Sequence, residues 1–439
     1  MKPFLIKNKF VPRGRITLAG DKSITHRALI LSALSDGKTL LRNFPVHDDS
    51  LATLGALAAL GIKIVRENKQ ASVFGKGLHG LIKPEKPIFV GESATTLRLL
   101  LGVLAGQSFK TKITAGRYLS MRPMARVNIP LRRMGAQINS KIKGKDEYAP
   151  ILISGGKLKG IKYQPAVVSA QVKSAILLAG LFARGKTCVI EKIPTRDHTE
   201  RMLKIFGADI VIKKKSIVLK PAKNLVSPQV VYIPGDVSSA AFFIVLATII
   251  PGSRVFIERS GLNPGRAGII NILKRMRARI RIRYARGDNR QRFEPLGDLI
   301  ISASKLKGTI VYSHEIPTLI DELPILMVAA CFAQGRTIIK GASELRVKET
   351  DRIKSMVSNL RSMGADIQLK KVTSGEDVLI KGTGRLFGAD LKSYGDHRTA
   401  MSMVIAALAA EGESRIDNIA CISKSFPGFL ATLNSLSKG

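Results

Sequence analysis

The chain has 439 residues, 45% of them hydrophobic, so we expect two or three domains with their own cores and exclude general disorder. The three cysteines are widely spaced, which predicts a protein without disulfides. Lysines interrupt the apolar N-terminus, and the longest central apolar run, Ala240–Ile250, has about half of the ~20 residues of a bilayer span. We therefore expect a cytoplasmic protein without membrane association. The formal net charge of +39 is typical of nucleic-acid-binding proteins, but aromatic residues are only 5% and Trp is absent. We therefore expect a protein that handles small anions, with no specific nucleic-acid partner, and keep a basic RNA-binding protein as an alternative.

One pattern recurs along the chain: an apolar helix-like run, a turn centred on glycine and a short β-branched run. Its copies are spaced by ~75 residues on average, which is typical of an internal structural repeat. The six apolar runs are Arg27–Leu34, Thr95–Leu104, Gln171–Phe182, Ser238–Ile249, Asp321–Phe332 and Asp396–Ala409.

A second helix pattern lies between these turns, and most of its copies end at a glycine, a common helix C-cap. The copies are Leu57–Gly61, Leu131–Gly135, Met202–Gly207, Leu273–Arg277, Leu360–Gly364 and Leu433–Gly439. Each repeat is thus predicted to hold two helices and several short strands. Three repeats per domain place a boundary near Val231–Gly235.

Two glycine-rich segments match nucleotide-binding patterns in letters only. Gly180–Thr187 fits the phosphate-binding loop, but a helix is predicted before it and a strand after it. That order is the reverse of the one in which helix N-terminal amides cradle phosphate. Gly75–Gly80 fits GxGxxG, but Pro84 and Pro87 exclude the helix that should follow. We therefore predict that Gly180–Thr187 connects the helix and the strand of a repeat and that Gly75–Gly80 forms a turn.

The first turns of the apolar helices are polar. Ser, Thr and Asp there are common N-caps, but cations are disfavoured at the positive end of a helix dipole. Lys22, Arg27 and Arg398 nevertheless stand at such ends, and Arg122 lies in a turn next to Pro123. An anion that bridges these cations would make them tolerable. Several helix starts directed into one cleft therefore predict a ligand with multiple phosphate or carboxylate groups.

Seven separated motifs occur in the order seen in one family. They are Gly20–Arg27, Met121–Met124, Ser169–Gln171, Arg196–Glu200, Leu345–Arg352, Asp396–Arg398 and Lys424–Pro427. Over essentially its full length the chain resembles the EPSP synthase (3-phosphoshikimate 1-carboxyvinyltransferase) family. The resemblance implies a two-domain inside-out α/β barrel of six βαβαββ repeats, three per domain. Residues 21–233 would form one domain and 1–20 plus 234–439 the other, with the active site in the cleft between them.

The reaction of the family transfers the enolpyruvyl group of phosphoenolpyruvate to the 5-hydroxyl of shikimate 3-phosphate, releases phosphate and serves the synthesis of chorismate and aromatic amino acids. Each substrate carries a phosphate and a carboxylate, which agrees with an anion-binding cleft. The resemblance implies that no cofactor or metal is required. A monomer is expected.

The resemblance also implies roles for single residues. Shikimate 3-phosphate would be bound by Lys22, Ser23, Arg27, Ser169, Ala170, Gln171, Arg196, Asp321 and Lys348. Phosphoenolpyruvate would be bound by Lys22, Ala94, Arg122, Gln171, Arg352, Arg398 and Lys424. Asp321 would be the base for the 5-hydroxyl, and Glu349 would protonate and later deprotonate the methyl carbon of a tetrahedral intermediate. Lys22 and Lys424 would assist the departure of phosphate.

The chain departs from many relatives at the phosphate loop, where Gly91–Thr95 reads Gly-Glu-Ser-Ala-Thr instead of Gly-Asn-Ala-Gly-Thr. Glu92 beside a phosphate would repel it, so we expect this side chain to point away or the loop to sit differently. Ala94 replaces a glycine, and its methyl group should crowd the inhibitor glyphosate more than phosphoenolpyruvate. Arg117 and Ala170 also differ from the residues common at their positions, which are an acidic residue and a serine.

The nearest alternative is the sister enolpyruvyl transferase that acts on UDP-N-acetylglucosamine and has the same fold. That enzyme carries Lys-Asn where this chain has Lys22 and Ser23, and it has a cysteine in its mobile loop. This chain has no cysteine before Cys188. An RNA-terminal phosphate cyclase would suit the basic charge but lacks this set of motifs.

Overall fold

The computed structural model describes residues 3–7, 10–284, 293–373 and 375–437. The chain divides into two units. The first unit comprises 19–234 together with 293 and 294, and the second comprises the described residues of 1–18, 235–286 and 295–439. The short segment 293–294 was not expected in the first unit, because it lies far along the chain from the rest of that unit.

Each repeat contains one apolar helix that is buried on nearly every side, as its unbroken apolar sequence predicts. In α1, for example, every residue from Ile24 to Leu34 is buried. These helices are α1 (Lys22–Leu34), α3 (Ala94–Leu104), α5 (Ala170–Gly180), α7 (Val237–Ile249), α9 (Leu323–Cys331) and α11 (His397–Ala409). All six predicted apolar helices are confirmed.

A second helix follows in each repeat, also as predicted. The six are α2 (Asp48–Ala59), α4 (Ala125–Met134), α6 (His198–Ile205), α8 (Gly268–Arg275), α10 (Arg352–Ser362) and α12 (Phe429–Ser435). The residue after α4 is Gly135, whose φ of +112° is in the left-handed region. The equivalent residue near the end of α8 is Arg277, with φ of +70°. The repeat therefore keeps its backbone turn even where a side chain makes it unfavourable.

The first unit has three four-stranded sheets, each with one parallel pair followed by antiparallel neighbours. Their orders are β14–β3–β5–β4, β6–β7–β9–β8 and β10–β11–β13–β12. The strands are β3 (Asp36–Arg42), β4 (Lys63–Glu67), β5 (Gln70–Lys76), β6 (Ile88–Phe89), β7 (Lys110–Thr114), β8 (Gln137–Lys143), β9 (Asp146–Ser154), β10 (Lys162–Tyr163), β11 (Thr187–Ile190), β12 (Ile210–Lys213), β13 (Ser216–Leu219) and β14 (Val230–Tyr232).

The second unit has two four-stranded sheets, β16–β17–β15–β2 and β18–β19–β21–β20, and the three-stranded sheet β1–β23–β22. The strands are β1 (Phe4–Ile6), β2 (Arg13–Thr17), β15 (Arg254–Gly261), β16 (Arg279–Tyr284), β17 (Leu296–Ser302), β18 (Ile310–Val311), β19 (Gly335–Ile339), β20 (Asp366–Val372), β21 (Gly375–Gly382), β22 (Asp390–Leu391) and β23 (Ser414–Ile416).

The six repeats are not identical copies. Among the described residues no strand follows α12, and β1 pairs antiparallel with β23 where the other repeats use their own hairpin. The first strand of two sheets also comes from a distant part of the chain. β14 lies parallel to β3, and β2 lies parallel to β15. The predicted two-domain α/β fold class is confirmed, and the repeats differ from one another in these strands.

Each unit has its own hydrophobic core, formed by its three apolar helices and the inner faces of its sheets. This is the expected inside-out arrangement, with helices inside and sheets outside. In the first unit α3 and α5 approach closely at Gly102, where a Cβ would lie 2.3 Å from the carbonyl oxygen of Ala175. Only glycine permits that approach. No helix in the described part of the chain is long and apolar enough to cross a membrane.

Candidate active site

In the first unit the three apolar helices begin with capping side chains. Asp21 accepts a hydrogen bond from the amide of Ile24 at 2.9 Å, and Ser93 caps α3 in the same way. The Ser169 hydroxyl accepts from the amide of Val172 at 3.5 Å. The serine predicted as a substrate ligand therefore also has a structural role. Each cap satisfies one backbone amide of the first helical turn. The other amides of that turn are suited to bind an anion.

Lys22 is the first residue of α1, and its Nζ lies 2.8 Å from Oδ2 of Asp49 on α2. Burial raises the pKa of Asp49, but the neighbouring groups, the Lys22 ammonium foremost, together lower that pKa to about 2. Asp49 is therefore ionised at neutral pH and fixes the ammonium group. Sequence reasoning missed Asp49, since no local pattern links it to Lys22.

Arg27 is buried and held by three contacts. Its Nε donates to Oγ1 of Thr199 at 2.6 Å, and its Nη2 donates to Oγ of Ser174 at 2.8 Å. Its Nη1 donates to the carbonyl oxygen of Ser23 at 2.8 Å. Because a guanidinium carries five N–H groups, one N–H on each Nη is left by these contacts for a ligand. Burial lowers the pKa of Arg27 to about 10, with Glu200 opposing, so the group is charged at neutral pH.

Gln171 and Arg98 form a pair between α5 and α3. Oε1 of Gln171 accepts from Nη1 of Arg98 at 2.5 Å, and its Nε2 donates to Oγ1 of Thr95 at 2.9 Å. Nη2 of Arg98 donates to the carbonyl oxygen of Pro123 at 3.3 Å, which brings the turn containing Arg122 to the same place. Arg98 is absent from the predicted ligands. Its position one turn into α3 was the available signal.

The phosphate loop has a specific arrangement. The Glu92 carboxylate accepts hydrogen bonds from the backbone amides of Leu119, at 2.6 Å, and Tyr118, at 3.3 Å. This carboxylate therefore caps the 3₁₀ turn Leu119–Met121. Ala94 is the first residue of α3 and is buried. Sequence reasoning found no partner for Glu92, because the amides that donate to its carboxylate lie on a later segment.

Arg196 lies in the loop between β11 and α6, next to a group of side chains whose composition suits a metal. Among the described residues this is the one such group, and it consists of Asp197, His198 and Glu294. Arg196 is half-buried, and its positive charge contributes to the lowered pKa of Arg27 after burial itself. The ligand atoms of Asp197, His198 and Glu294 lie within 4.8 Å of one another. His198 Nδ1 and Glu294 Oε1 are already joined at 2.6 Å, and Asp197 pairs with Arg201. These contacts explain the cluster as hydrogen bonds and ion pairs.

In the second unit Arg352 is the centre of a cluster of carboxylates. Its side chain is only 1% exposed. Its Nε donates to Oδ2 of Asp396 at 2.8 Å, its Nη1 lies 3.5 Å from Oδ1 of Asp321, and its Nη2 pairs with Glu349. Burial would lower the pKa of Arg352, but the three carboxylates raise it overall. The buried Nη1 has no hydrogen-bond acceptor in the described part of the chain, so it is suited to a ligand carboxylate.

Asp321 lies just before α9 and between two guanidinium groups. Its Oδ2 is 3.7 Å from Nη1 of Arg266, and its backbone carbonyl accepts from Nη1 of Arg398 at 3.0 Å. The carboxylate is 23% exposed, and both ion pairs are longer than hydrogen bonds. The Asp321 side chain therefore lies between two guanidinium groups and remains partly open to solvent. Arg266 was not predicted.

The remaining predicted residues of the second unit are Glu349, Lys348 and Lys424. Glu349 is 42% exposed, which leaves its carboxylate accessible. Lys348 Nζ lies 3.6 Å from Oε1 of Glu344, and burial lowers the pKa of Lys348 while Asp321 and Glu344 oppose that shift. Lys424 is exposed at the end of the 3₁₀ turn Ala420–Lys424, which packs against α11.

Comparison with known proteins decides the family. The family model described as EPSP synthase (3-phosphoshikimate 1-carboxyvinyltransferase) matches residues 11–433. The chain belongs to this family. Enzymes named 3-phosphoshikimate 1-carboxyvinyltransferase from Desulforamulus reducens and Geobacter sulfurreducens are 45% and 44% identical to it over 425 residues, with 97% of each chain covered.

Solved structures agree with the family assignment. EPSP synthase from Acinetobacter baumannii is 40% identical and matches with a TM-score of 0.89, covering 100% of this chain and 98% of that one. The enolpyruvyl transferase NikO from Streptomyces tendae matches with a TM-score of 0.78 at 17% identity, which shows the shared fold alone. As a member of the EPSP synthase family, the chain is a transferase that moves the enolpyruvyl group of phosphoenolpyruvate to shikimate 3-phosphate. The two alternatives, the UDP-N-acetylglucosamine enzyme and an RNA-binding protein, are not favoured.

Proposed function

We propose that the two sets of residues described above act on one pair of substrates, with Asp321 as the base. The observation that carries this proposal is the partly exposed Asp321 side chain, whose carboxylate oxygens lie 3.7 Å from Nη1 of Arg266 and 3.5 Å from Nη1 of Arg352. A carboxylate placed in this way is suited to accept the proton of the 5-hydroxyl.

Shikimate 3-phosphate is bound in this proposal by the first turns of α1 and α5 and by neighbouring cations. Lys22 and Arg27 are charged and fixed by Asp49, Thr199 and Ser174, which supports their use as anion ligands. Charge-assisted hydrogen bonds of this kind are the stronger class. The other ligands proposed for this substrate are Ser23, Ser169, Ala170, Gln171, Arg196, Asp321 and Lys348.

Phosphoenolpyruvate is bound by a second group of cations. Arg352, with its buried Nη1, and Arg398 would hold its carboxylate, because guanidinium forks match carboxylates well. The ligands proposed for its phosphate side are Lys22, Ala94, Arg122, Gln171 and Lys424. Arg98 orients Gln171 and belongs to this group as a supporting residue.

The chemistry then proceeds in two steps. In the addition, Asp321 takes the 5-hydroxyl proton, the oxygen forms a bond to C2 of phosphoenolpyruvate, and Glu349, which enters the step as the carboxylic acid, gives its proton to C3. In the elimination, the Glu349 carboxylate takes a proton back from the new methyl group and the bond between C2 and the phosphate oxygen breaks. Phosphate leaves with the electron pair beside Lys22 and Lys424 and receives the proton held by Asp321. The cations stabilise charge that develops on the phosphate oxygen.

We also infer that the enzyme works as a monomer in the cytoplasm. The cysteines Cys188, Cys331 and Cys421 are all free thiols, which supports a reducing compartment. Size-exclusion chromatography with light scattering would test the monomer directly.

The decisive experiment measures phosphate release from phosphoenolpyruvate and shikimate 3-phosphate by the Asp321→Asn variant. We expect kcat to fall by ~10²–10⁴, the usual contribution of a general base, with the melting temperature within a few degrees of that of the unaltered protein. Asp298→Asn, at a carboxylate on β17 away from these residues, is the matched control and should keep full activity. A D321N enzyme with near-normal kcat would remove Asp321 from the base role.

A further inference from the structure

A buried lysine that takes no part in the proposed chemistry lies behind the shikimate 3-phosphate ligands. Lys173 on α5 is 1% exposed, and its Nζ lies 2.6 Å from Oε1 of Glu200 and 3.0 Å from Oε2 of Glu191. The carbonyl oxygen of Thr195 is 3.5 Å away. A buried ammonium is unfavourable unless it is paired and hydrogen-bonded, and Lys173 meets both conditions.

The three partners of Lys173 bracket one short segment. Glu191 follows β11, Glu200 is in α6, and Thr195 lies between them. Oε1 of Glu191 also accepts from the amide of Thr195 at 3.1 Å and from its hydroxyl at 2.5 Å. Lys173 therefore closes segment 191–195 into a fixed turn. The next residue along the chain is Arg196.

The neighbouring residue on α5 fixes the other side of the same segment. Oγ of Ser174 lies 2.6 Å from Oγ1 of Thr199, and both hydroxyls accept hydrogen bonds from Arg27. Thr199 precedes Glu200 in the sequence. Two adjacent residues of α5 thus hold Arg27 and contact the chain on both sides of Arg196.

The charges in this cluster explain why a cation is needed there. Burial raises the pKa of Glu200, and Lys173 opposes that shift. Glu200 is also the strongest favourable charge on Arg27, whose pKa burial lowers. With Lys173 removed, the two carboxylates would attract the guanidinium groups of Arg27 and Arg196 inward. Those groups would then be withdrawn from a ligand.

We propose that Lys173 is a positioning residue for shikimate 3-phosphate. It neutralises Glu191 and Glu200 and fixes segment 191–200, so that Arg27 presents its remaining N–H groups to the substrate and Arg196 is held in the same segment. This inference rests on the proposed function, in which Arg27 and Arg196 bind that substrate.

The test measures the dissociation constant of shikimate 3-phosphate by calorimetry with the whole enzyme. We expect Lys173→Met to weaken binding by ~10–100-fold, the effect of losing hydrogen bonds to charged groups. At saturating shikimate 3-phosphate, kcat and the KM for phosphoenolpyruvate should stay within about threefold of their normal values, a split that a general loss of structure would not give. Lys204→Met, which removes an exposed lysine of α6, is the matched control and should bind normally.

Two further variants separate the possible outcomes. Thr195→Val keeps the buried ion pairs but removes the hydroxyl contact with Glu191, and we expect ~5–10-fold weaker binding, about one hydrogen bond. If Lys173→Met does not fold, this variant decides, and normal binding by it would overturn the inference.

Arg196→Ala tests the subsite itself: unchanged binding would refute the proposed function rather than the role of Lys173. Two outcomes would overturn the positioning role of Lys173. The first is weak binding by Arg196→Ala together with normal binding by Lys173→Met. The second is an equal loss of binding in Lys173→Met and in the control Lys204→Met.

Discussion

At the scale of single residues, Ala94 is placed to affect inhibition. Its methyl group is buried at the first position of α3, beside the residues assigned to phosphoenolpyruvate. Glyphosate, which occupies the phosphoenolpyruvate site of this family, is slightly longer than that substrate. An additional methyl group in a close-packed site costs ~1–3 kcal/mol, which corresponds to roughly ten- to a hundredfold in affinity.

We therefore expect poor inhibition of this enzyme by glyphosate and a ~10–100-fold lower inhibition constant for Ala94→Gly. The measurement is the inhibition constant against phosphoenolpyruvate. Ala125→Gly, the same substitution at the first position of α4, controls for the loss of helix propensity. Equal inhibition of the unaltered enzyme and of Ala94→Gly would contradict the steric explanation.

Glu349 is the residue whose role leaves an isotopic signature. If it transfers the proton to and from C3, the enzyme should incorporate solvent deuterium into phosphoenolpyruvate during turnover in D₂O. We expect Glu349→Gln to lose this incorporation and to reduce kcat by ~10²–10⁴. Glu344→Gln, at the neighbouring exposed carboxylate that pairs with Lys348, should retain both. Normal deuterium incorporation by Glu349→Gln would assign the proton transfer to another group.

Sequence reasoning could find residues whose chemistry is unusual for their local position. Lys22 and Arg398 were predicted because cations are disfavoured at helix starts. Asp49 and Arg266 were not, because each is explained only by a partner from another segment. Their sequence neighbourhoods contain nothing that distinguishes them from surface charges.

At the scale of the elements, the packing of α1 against α2 buries a histidine. His26 on α1 is fully buried, and its Nδ1 lies 2.6 Å from Oγ1 of Thr53 on α2. Burial lowers the pKa of His26 from 6.5 to about 3. The folded protein therefore holds this imidazole neutral, while the unfolded chain protonates it below about pH 6.5. The resulting stability is fully present above pH 6.5 and is lost progressively as the pH falls toward 3.

We expect His26→Asn to flatten the pH dependence of unfolding. Below pH 6.5 the stability of the unaltered protein should fall more steeply than that of the variant, by up to about 1.4 kcal/mol per pH unit for one proton. Urea unfolding midpoints at pH 7, 6 and 5 measure this difference. His79→Asn, at an exposed histidine of the same unit, is the control. Parallel curves for His26→Asn and the unaltered protein would show that the buried imidazole does not govern the acid response.

The elements differ in how well their sequences predict them. The six apolar helices are long, unbroken runs, so their existence and approximate limits follow from the sequence. The strands β6, β10, β18 and β22 have two residues each, too few to show an alternating pattern. The placement of β2 and β14 depends on pairing with strands from distant repeats, for which the sequence has no local signal.

At the scale of the whole molecule, the net charge of +39 should act on substrate capture. Both substrates carry a phosphate and a carboxylate, and a positive field raises the rate at which anions reach a site. We expect kcat/KM to fall several-fold between about 20 and 300 mM KCl, since the Debye length shrinks well below ~10 Å over that range, while kcat changes less. An equal series in sucrose controls for viscosity. A kcat/KM that does not change with ionic strength would show that the net charge does not increase the rate of substrate capture.

The pairing of β1 with β23 and of β2 with β15 has a consequence for the order of folding. The first unit is almost contiguous in sequence, whereas two sheets of the second unit join strands more than 200 residues apart: Arg13 is opposite Arg254, and Phe4 is opposite Ile416. Contacts so distant form slowly, and a strand without its partner exposes hydrogen-bonding groups. On the ribosome the first unit can begin to fold early, and β1, although synthesised before it, must wait until β23 has emerged.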